Sequence, residues 1–454
     1  MMLMRKGFPL LVMLALLSGC ATGSLFVPYP SQAQAWKSGV GNDAPAARKR
    51  LEKGSHSADS VLYLQELGRV SQLDGQRQQS RDAFAAAIDD YQQSDAAARI
   101  RLSSAVADTS SLVTNDNARP YHAPDYERIF TRAYQALNYW ADNDVTGTAV
   151  ELRAAAEEQR VAANKREREI ARADEKARDN NIDLSRYDGY FQGLDAAAGS
   201  VKASFQNAWT FYLSALFWEA HQAYNDALVD YKKALEIHPD ADFIKADVQR
   251  VSQALDGRIS DHGGRVAVLY EQGFVPARQE VNLPIPTTQG VFSVAFPTYS
   301  LQGKPQAGPL RVLDSASQPL AQTRVLADVG ALAAKDLKER LPGMLVRQTL
   351  RASAKYNLQK KANKDFGPLG AFATQLYNLV SEQADLRSWL TLPAYAQAAR
   401  FTLPAGQHSL VLSTPGGSAT LTVPVVDHGL TVIHVVAVSG HLLTRVLPVQ
   451  EGPL

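Results

Sequence analysis

The residue types that most often carry out chemistry form no familiar catalytic or metal-binding pattern in this chain of 454 residues. The nine histidines have no zinc-ligand spacing, and the single cysteine excludes a site built from several thiolates. No glycine loop of the phosphate-binding type and no Gly-x-Ser-x-Gly turn are present. Asp261 and His262 could pair with a distant Ser, but any long chain offers such a combination. The sequence therefore predicts no catalytic residue, no metal and no cofactor.

A short segment near the C-terminal third is the best local candidate for specific binding. It reads Asp-Leu-Arg-Ser-Trp over residues 385–389. Asp385 and Arg387 lie two positions apart, so in a turn or strand they could contact different partners. Trp389 beside Arg387 is a pairing common in binding hot spots. The alternative is that Trp389 anchors a helix to a sheet while the two charged side chains make structural hydrogen bonds.

A second candidate for binding is a polar segment over residues 112–121. Its Asn, Asp and Pro content predicts a long turn, and such loops often carry function. The possible partner-binding residues in and just after it are Asn115, Asn117, Tyr121, Tyr126 and Arg128. The alternative is that the turn bridges two helices and caps the helix that starts near Pro124.

Composition and charge place the chain among ordinary globular proteins. Lys and Arg total 47 against 46 Asp and Glu, so nothing favours nucleic acid as a partner. Hydrophobic residues make up 45% of the chain, which argues against disorder. The length allows two or three domains with a sizeable core.

The N-terminus predicts export and a lipid anchor. An apolar run over residues 8–17 is too short to span a bilayer, so residues 1–19 read as a signal peptide. Leu-Ser-Gly-Cys, which ends at Cys20, resembles the bacterial lipobox, and the resemblance implies cleavage and acylation of that cysteine. The alternative is an ordinary signal peptide with a chance cysteine. Ala21, where retained lipoproteins typically carry Asp, implies sorting to the outer membrane of a Gram-negative cell.

Residues 20–60, which follow, are rich in small and polar side chains. They predict an acylated N-terminus and a tether, with several acyl chains giving stable anchoring. The alternative is that the aromatic and proline cluster at residues 25–30 docks onto the first helices.

Residues 61–260 predict a helical repeat domain. Residues 208–241 have the length and spacing of a tetratricopeptide repeat, a helical hairpin of about 34 residues. Residues 61–92 match well, and residues 130–163 match in a degenerate form. Small residues let paired helices approach, and large ones fill the holes between pairs. Within this domain, residues 149–178 carry charges of both signs at helical spacing and predict a solvated, projecting helix, or a binding arm.

Glycines in residues 257–264 mark a change from helical to strand patterns. Residues 265–454 predict a β-sandwich-like domain with helices inserted at about 326–390. The whole chain is therefore predicted to be multidomain, α then α+β. Its β-rich runs, bounded by Gly and Pro, are residues 265–270, 291–296, 399–403, 409–412, 419–423, 431–438 and 442–447.

The resemblance extends beyond the repeats. The lipobox, residues 115–121, Gly-Phe-Val-Pro at 273–276 and residues 384–393 occur in an order similar to that of Gram-negative tetratricopeptide-repeat outer-membrane lipoproteins, a family of largely uncharacterised function. This implies an architecture and a location rather than a reaction. The predicted function is a non-enzymatic, protein-binding scaffold or adaptor that faces the periplasm and binds an envelope protein or peptide.

Three other functions stay open. The chain could activate peptidoglycan synthesis, or form part of an envelope export or assembly machine. It could also be an enzyme that acts on the wall or on lipid, which would require a pocket with converging acid and base groups.

Overall fold

The computed structural model describes residues 27–103, 119–258, 263–287, 290–352 and 383–449. The chain is helical in its first part and mixed α+β afterwards. In these ranges no helix is both long enough and apolar enough to cross a membrane. The helices that precede the first strand are α1 (Tyr29–Lys37), α2 (Ala44–Gly54), α3 (Ser60–Leu73), α4 (Arg77–Ser103), α5 (Asp125–Ala141), α6 (Val145–Asp179), a 3-10 helix (Leu184–Phe191), α7 (Gln192–Ala198), α8 (Ala208–Ala220), α9 (Tyr224–Ile237) and α10 (Asp242–Leu255).

Three helical hairpins, α3–α4, α5–α6 and α8–α9, coincide with the three predicted repeat positions. Each hairpin turns through three residues, and each turn contains one residue with positive φ: Gly75, Asn143 or Gln222. In the first hairpin a Cβ on Gly68 would lie 2.5 Å from the ring of Phe84, so glycine is needed for this close approach. Local spacing of small and large residues thus correctly predicts the helical pairs.

The predicted tether is wrong for residues 29–54, which form α1 and α2. Tyr29, Trp36 and Leu51 are buried, and the rings of Tyr29 and Trp36 lie 5.7 Å apart. Tyr29 and Trp36 also contact the ring of Tyr63 in α3. Three aromatic rings therefore hold this polar-looking segment to the first hairpin, as the docking alternative expects.

The predicted projecting helix is also corrected in part. α6 is a single helix of 35 residues, but Ala155, Ala162, Ala173 and Ala177 along it are buried. Arg166, near its middle, is buried and donates to carboxylates on two other elements. One face of α6 is therefore covered by the rest of the protein.

The strands and the helix among them are β1 (Gly264–Gln272), β2 (Gln279–Thr287), β3 (Gly290–Thr298), β4 (Arg311–Leu313), β5 (Pro319–Gln322), β6 (Arg324–Asp328), α11 (residues 329–352), β7 (Tyr395–Leu403), β8 (Gly406–Thr414), β9 (Gly417–Val425), β10 (Leu430–Val438) and β11 (His441–Leu447). Each predicted β-rich run lies within one of these strands. Of the helices predicted at about 326–390, the part over residues 353–382 lies outside the described residues.

Two larger sheets and one two-stranded ribbon are formed. The five-stranded sheet has the order β11-β10-β1-β7-β6, and the four-stranded sheet has the order β5-β4-β8-β9. β1 pairs in parallel with β10, whereas the other described pairs are antiparallel. β2 and β3 form the ribbon.

The central strands of the five-stranded sheet are mainly buried on both faces. Along β1, Val266 and Val268 face a cluster shared with the four-stranded sheet, whereas Ala267 and Leu269 belong to the core that the helices share. This alternation follows from the two-residue period of a strand. Helices and sheet therefore share one hydrophobic core across the predicted boundary near residue 260.

Candidate functional site

The segment 383–394 lies where the helices meet the five-stranded sheet, and Trp389 anchors it. The Trp389 side chain is 0% exposed. Its ring lies 6.0 Å from that of Phe84 and 5.8 Å from that of Tyr134. Its Nε1 donates to Thr391 Oγ1 at 2.9 Å. The indole therefore fills the space between the first two hairpins and the sheet.

Two buried glutamates accept the backbone N–H groups of this segment. Glu66, from α3, accepts from the N–H of Leu390 at 2.8 Å and from that of Thr391 at 3.2 Å. Glu127, from α5, accepts from the N–H of Trp389 at 3.0 Å. Buried backbone N–H groups need hydrogen-bond acceptors. Here the carboxylate oxygens supply the acceptors that the carbonyl groups of a neighbouring strand would supply in a sheet.

Both glutamates have altered acidity because they are buried. Desolvation raises the pKa of Glu66, opposed by hydrogen bonds from Thr391, Leu390 and Tyr29. Desolvation raises the pKa of Glu127 to about 7, opposed by the N–H of Trp389 and the hydroxyl of Tyr121. Burial therefore favours the neutral, protonated form of both carboxyls.

Arg387 joins the two segments that sequence analysis singled out. Its Nε and Nη2 both donate to Asp385, each at 2.8 Å, in a bidentate pair. Its Nη1 donates to Asp59 Oδ1 and to the carbonyl oxygen of Arg119, the latter at 2.9 Å. The guanidinium also lies 5.8 Å from the ring centroid of Tyr121.

The other predicted partner-binding residues also have intramolecular contacts. Tyr121 and Tyr126 are buried and donate to Glu127 at 2.7 and 3.1 Å. Arg128 pairs with Asp95 at 2.9 Å. Cys20, Asn115 and Asn117 lie outside the described residues. These contacts fit the structural alternative for the described residues, and a role in partner binding stays a prediction.

Beside Arg387 lies a cavity of about 680 Å³. Its walls are formed by α6, α11, Arg278 just before β2, Pro297 of β3, and the segments 119–123 and 385–387. Acidic residues in its lining are Glu169, Glu339 and Asp385. Cationic residues in its lining are Arg119, Lys165, Arg172, Lys176, Arg278, Arg340, Arg347 and Arg387. Cations thus outnumber acids eight to three.

Several of these cations are neutralised by carboxylates. Lys165 lies 3.2 Å from Asp125, and Arg340 lies 3.1 Å from Asp336. Burial opposes ionisation of Asp125, yet Lys165 and nearby arginines hold its pKa below its ordinary value. These pairs form part of the wall rather than a free binding surface.

Arg278 differs from these paired cations. It is 9% exposed, and its Nη1 donates only to the carbonyl oxygen of Asp385, at a long 3.4 Å. Its buried Nε has no partner. Within the described ranges, no carboxylate lies within ion-pair distance of Arg278 or of the exposed Arg119, Arg172 and Lys176. The cavity lining therefore has four cations without a direct ion pair in these ranges, although Asp385 interacts electrostatically with Arg278.

A separate groove of about 500 Å³ lies between the second and third hairpins, formed by α6, α8 and α9. Phe211 and Trp218 contribute aromatic rings to it. The guanidinium of Arg153 lies 4.6 Å from the ring centroid of Trp218, and Lys233 Nζ lies 5.0 Å from that of Phe211. Val229, also in the lining, is 51% exposed.

Sequence reasoning missed Glu66, Glu127 and Arg278. Glu127 stands between two residues that were singled out, and Arg278 follows Gly-Phe-Val-Pro by two positions. Glu66 lies between Leu64 and Leu67 in α3, and its position among these large apolar residues is the signal that could have indicated a buried acid.

The described ranges hold no group of three or more His, Cys, Asp or Glu side chains arranged to bind a metal ion. Comparison with protein-family models, with curated proteins and with solved structures yields no match to this chain.

Proposed function

We propose that this protein is a periplasm-facing outer-membrane lipoprotein that acts as a non-enzymatic, protein-binding scaffold or adaptor. The observation that carries the proposal is the groove between the second and third hairpins. Its aromatic rings, its exposed Val229 and its charged rim are the mixture that protein interfaces use at their centres and edges. Its occupant is a short peptide segment of an envelope protein, with an apolar side chain against the exposed Val229.

The finer fold assignments are part of this proposal. Equal three-residue turns in three hairpins support membership of the tetratricopeptide class. In that class stacked helical pairs form an extended concave surface for ligands. A buried apolar cluster between the five-stranded and four-stranded sheets supports the β-sandwich-like assignment.

The distance from the proposed anchor favours a partner close to the membrane. α1 begins at Tyr29, nine residues after Cys20. Nine residues span at most about 30 Å when fully extended, whereas a tether of forty would reach about 140 Å. A short connection therefore supports a membrane-proximal adaptor over a peptidoglycan-synthesis activator that must reach far from its anchor.

A photo-crosslinking side chain placed at Val229 tests the proposal in intact cells. The expected result is an adduct with one envelope protein, identified by mass spectrometry. The purified partner should bind the full chain, and Val229→Arg should weaken this binding at least about tenfold because the arginine fills the groove.

Val150, on α6, is the matched control because it is 56% exposed and lies outside the groove lining. A crosslinker there should give no such adduct, and Val150→Arg should leave binding unchanged. Equal adducts from both positions, or none from Val229, would contradict the groove proposal.

A further inference from the structure

We propose that the cavity bounded by α6, α11 and Arg278 binds a phosphate-bearing ligand. This site shares no lining residue with the groove, so it is independent of the proposed protein-binding function. Its volume, about 680 Å³, lies within the range of small-molecule pockets.

The buried guanidinium of Arg278 gives the first argument. A guanidinium is protonated at every physiological pH, and a buried one favours acceptors in direct contact. Asp385 interacts electrostatically with Arg278 but does not form an ion pair with it in the described ranges. Arg278 has one long hydrogen bond to a carbonyl oxygen and an unpartnered Nε. An oxyanion in the cavity would supply acceptors for the terminal nitrogens of this guanidinium, whose planar fork matches phosphate oxygens.

The remaining charges give the second argument. Arg172 and Lys176 lie four positions apart on α6, so both side chains project from the same face of the helix. They are exposed on the cavity rim, as is Arg119. With Arg278 they make four cations for which the described ranges supply no carboxylate at ion-pair distance.

Charge density favours phosphate over carboxylate. A single carboxylate brings one negative charge, whereas a phosphate monoester brings about 1.5 to 2 near neutral pH, with three acceptor oxygens. One or two phosphate groups therefore match the four cations with the fewest atoms. The phosphate could belong to a lipid headgroup or to a soluble phosphate ester, and the chemistry of recognition is the same.

Titration calorimetry of the purified full chain with inorganic pyrophosphate tests the soluble source. Co-sedimentation with phosphatidylcholine vesicles that do or do not contain phosphatidic acid tests the lipid source. Binding in either arm that depends on the cavity supports the proposal. The double variant Arg172→Gln, Lys176→Gln should weaken that binding at least about tenfold, since it removes two charge-assisted contacts.

The matched control is Arg168→Gln, Arg178→Gln. It changes the charge by the same amount on the same helix, at exposed positions outside the cavity. It should retain affinity within about twofold. Equal losses in both double variants would assign the affinity to net charge and overturn the proposal.

A third variant, Arg278→Met, removes the buried charge and keeps an unbranched side chain of similar length. It should bind at least about tenfold more weakly while its thermal unfolding stays cooperative. The proposal fails if the wild-type chain binds neither pyrophosphate nor the phosphatidic acid vesicles. It also fails if citrate competes as well as pyrophosphate, because the site would then select charge rather than phosphate.

Discussion

Replacing Glu127 by Gln should change how the stability of this protein depends on pH. The Glu127 carboxyl is fully buried and accepts hydrogen bonds from Tyr121, Tyr126 and the N–H of Trp389. Glutamine has nearly the same shape, and its carbonyl oxygen can still accept two of these bonds. The substitution therefore removes the titration while it preserves most of the packing.

The magnitude follows from the pKa of Glu127, which desolvation raises from 4.5 to about 7. A carboxyl with a raised pKa in the folded state binds its proton more tightly there than in the unfolded chain. Its contribution to stability is fully present below about pH 4.5 and is lost as the pH rises through about 7. Between pH 5 and pH 8 the lost contribution is about 2.5 kcal/mol, at about 1.4 kcal/mol for each unit of pKa.

The assay is urea unfolding of the wild type and of Glu127→Gln at several pH values between 5 and 8. Other groups titrate in both proteins, so the difference between the two free energies of unfolding isolates Glu127. The free energy of unfolding of the variant, minus that of the wild type, should increase by about 2.5 kcal/mol from pH 5 to pH 8.

Glu157→Gln is the control, because the pKa of this carboxyl is shifted in the opposite direction. A hydrogen bond from Arg160 lowers the pKa of this exposed carboxyl. Its contribution is therefore present above about pH 4.5 and lost below it, so its difference curve should stay flat between pH 5 and 8. A flat curve for Glu127→Gln as well would refute the assignment of a raised pKa to the buried carboxyl.

Two further substitutions test the anchoring role of Trp389 and the proposed lipid anchor at Cys20. Trp389→Ala should lower the free energy of unfolding by about 3–5 kcal/mol, because it removes a fully buried indole and leaves a cavity. Urea unfolding measures this loss. A loss below about 1 kcal/mol would contradict the anchoring role. Cys20→Ser should abolish incorporation of labelled palmitate and move the protein from the membrane fraction to the soluble fraction, and unchanged labelling would exclude acylation at this residue.

The helical hairpins and many strands were predictable from the sequence because their signals are local. Ala215, Ala227 and Ala234 recur where paired helices must approach, and all three are fully buried. Strand β2 escaped prediction because it contains Pro284 and Pro286, which are uncommon in strands that pair on both sides. Its pairing with β3 alone makes the prolines tolerable.

Long-range burial was not predictable. α1 carries only a weak amphipathic pattern, and its stability depends on Tyr29 and Trp36 contacting a helix that follows later in the chain. From the sequence alone, Arg166 is predicted to be one of many solvent-exposed charges on this helix. It is buried because Asp125 lies 3.1 Å away and Asp336 lies 2.7 Å away. No local pattern connects positions 166 and 336.

In the candidate cavity too, some residues were predictable from their type and sequence neighbours, whereas Arg278 was not. Asp385, Arg387 and Tyr121 stood out by residue type, and the structure places all three in its lining. Arg278 did not stand out, because a single arginine near a glycine-proline motif has no distinctive neighbours. Its importance comes from the lack of a carboxylate within ion-pair distance of it among the described residues, which is a property of the folded arrangement.

Three buried glutamates indicate that the helical and β-rich parts form a single unit. The first helix of each hairpin supplies a buried glutamate to the β-rich part of the chain. Glu66 and Glu127 bind the backbone at residues 389–391, and Glu219 pairs with Arg400 of β7 at 2.7 Å. Without the C-terminal part, Glu66 and Glu127 would lose these hydrogen bonds, and the apolar side chains that contact Trp389 would lose that cover. The predicted boundary near residue 260 therefore separates two patterns of secondary structure, and the three glutamates oppose independent folding on either side of it.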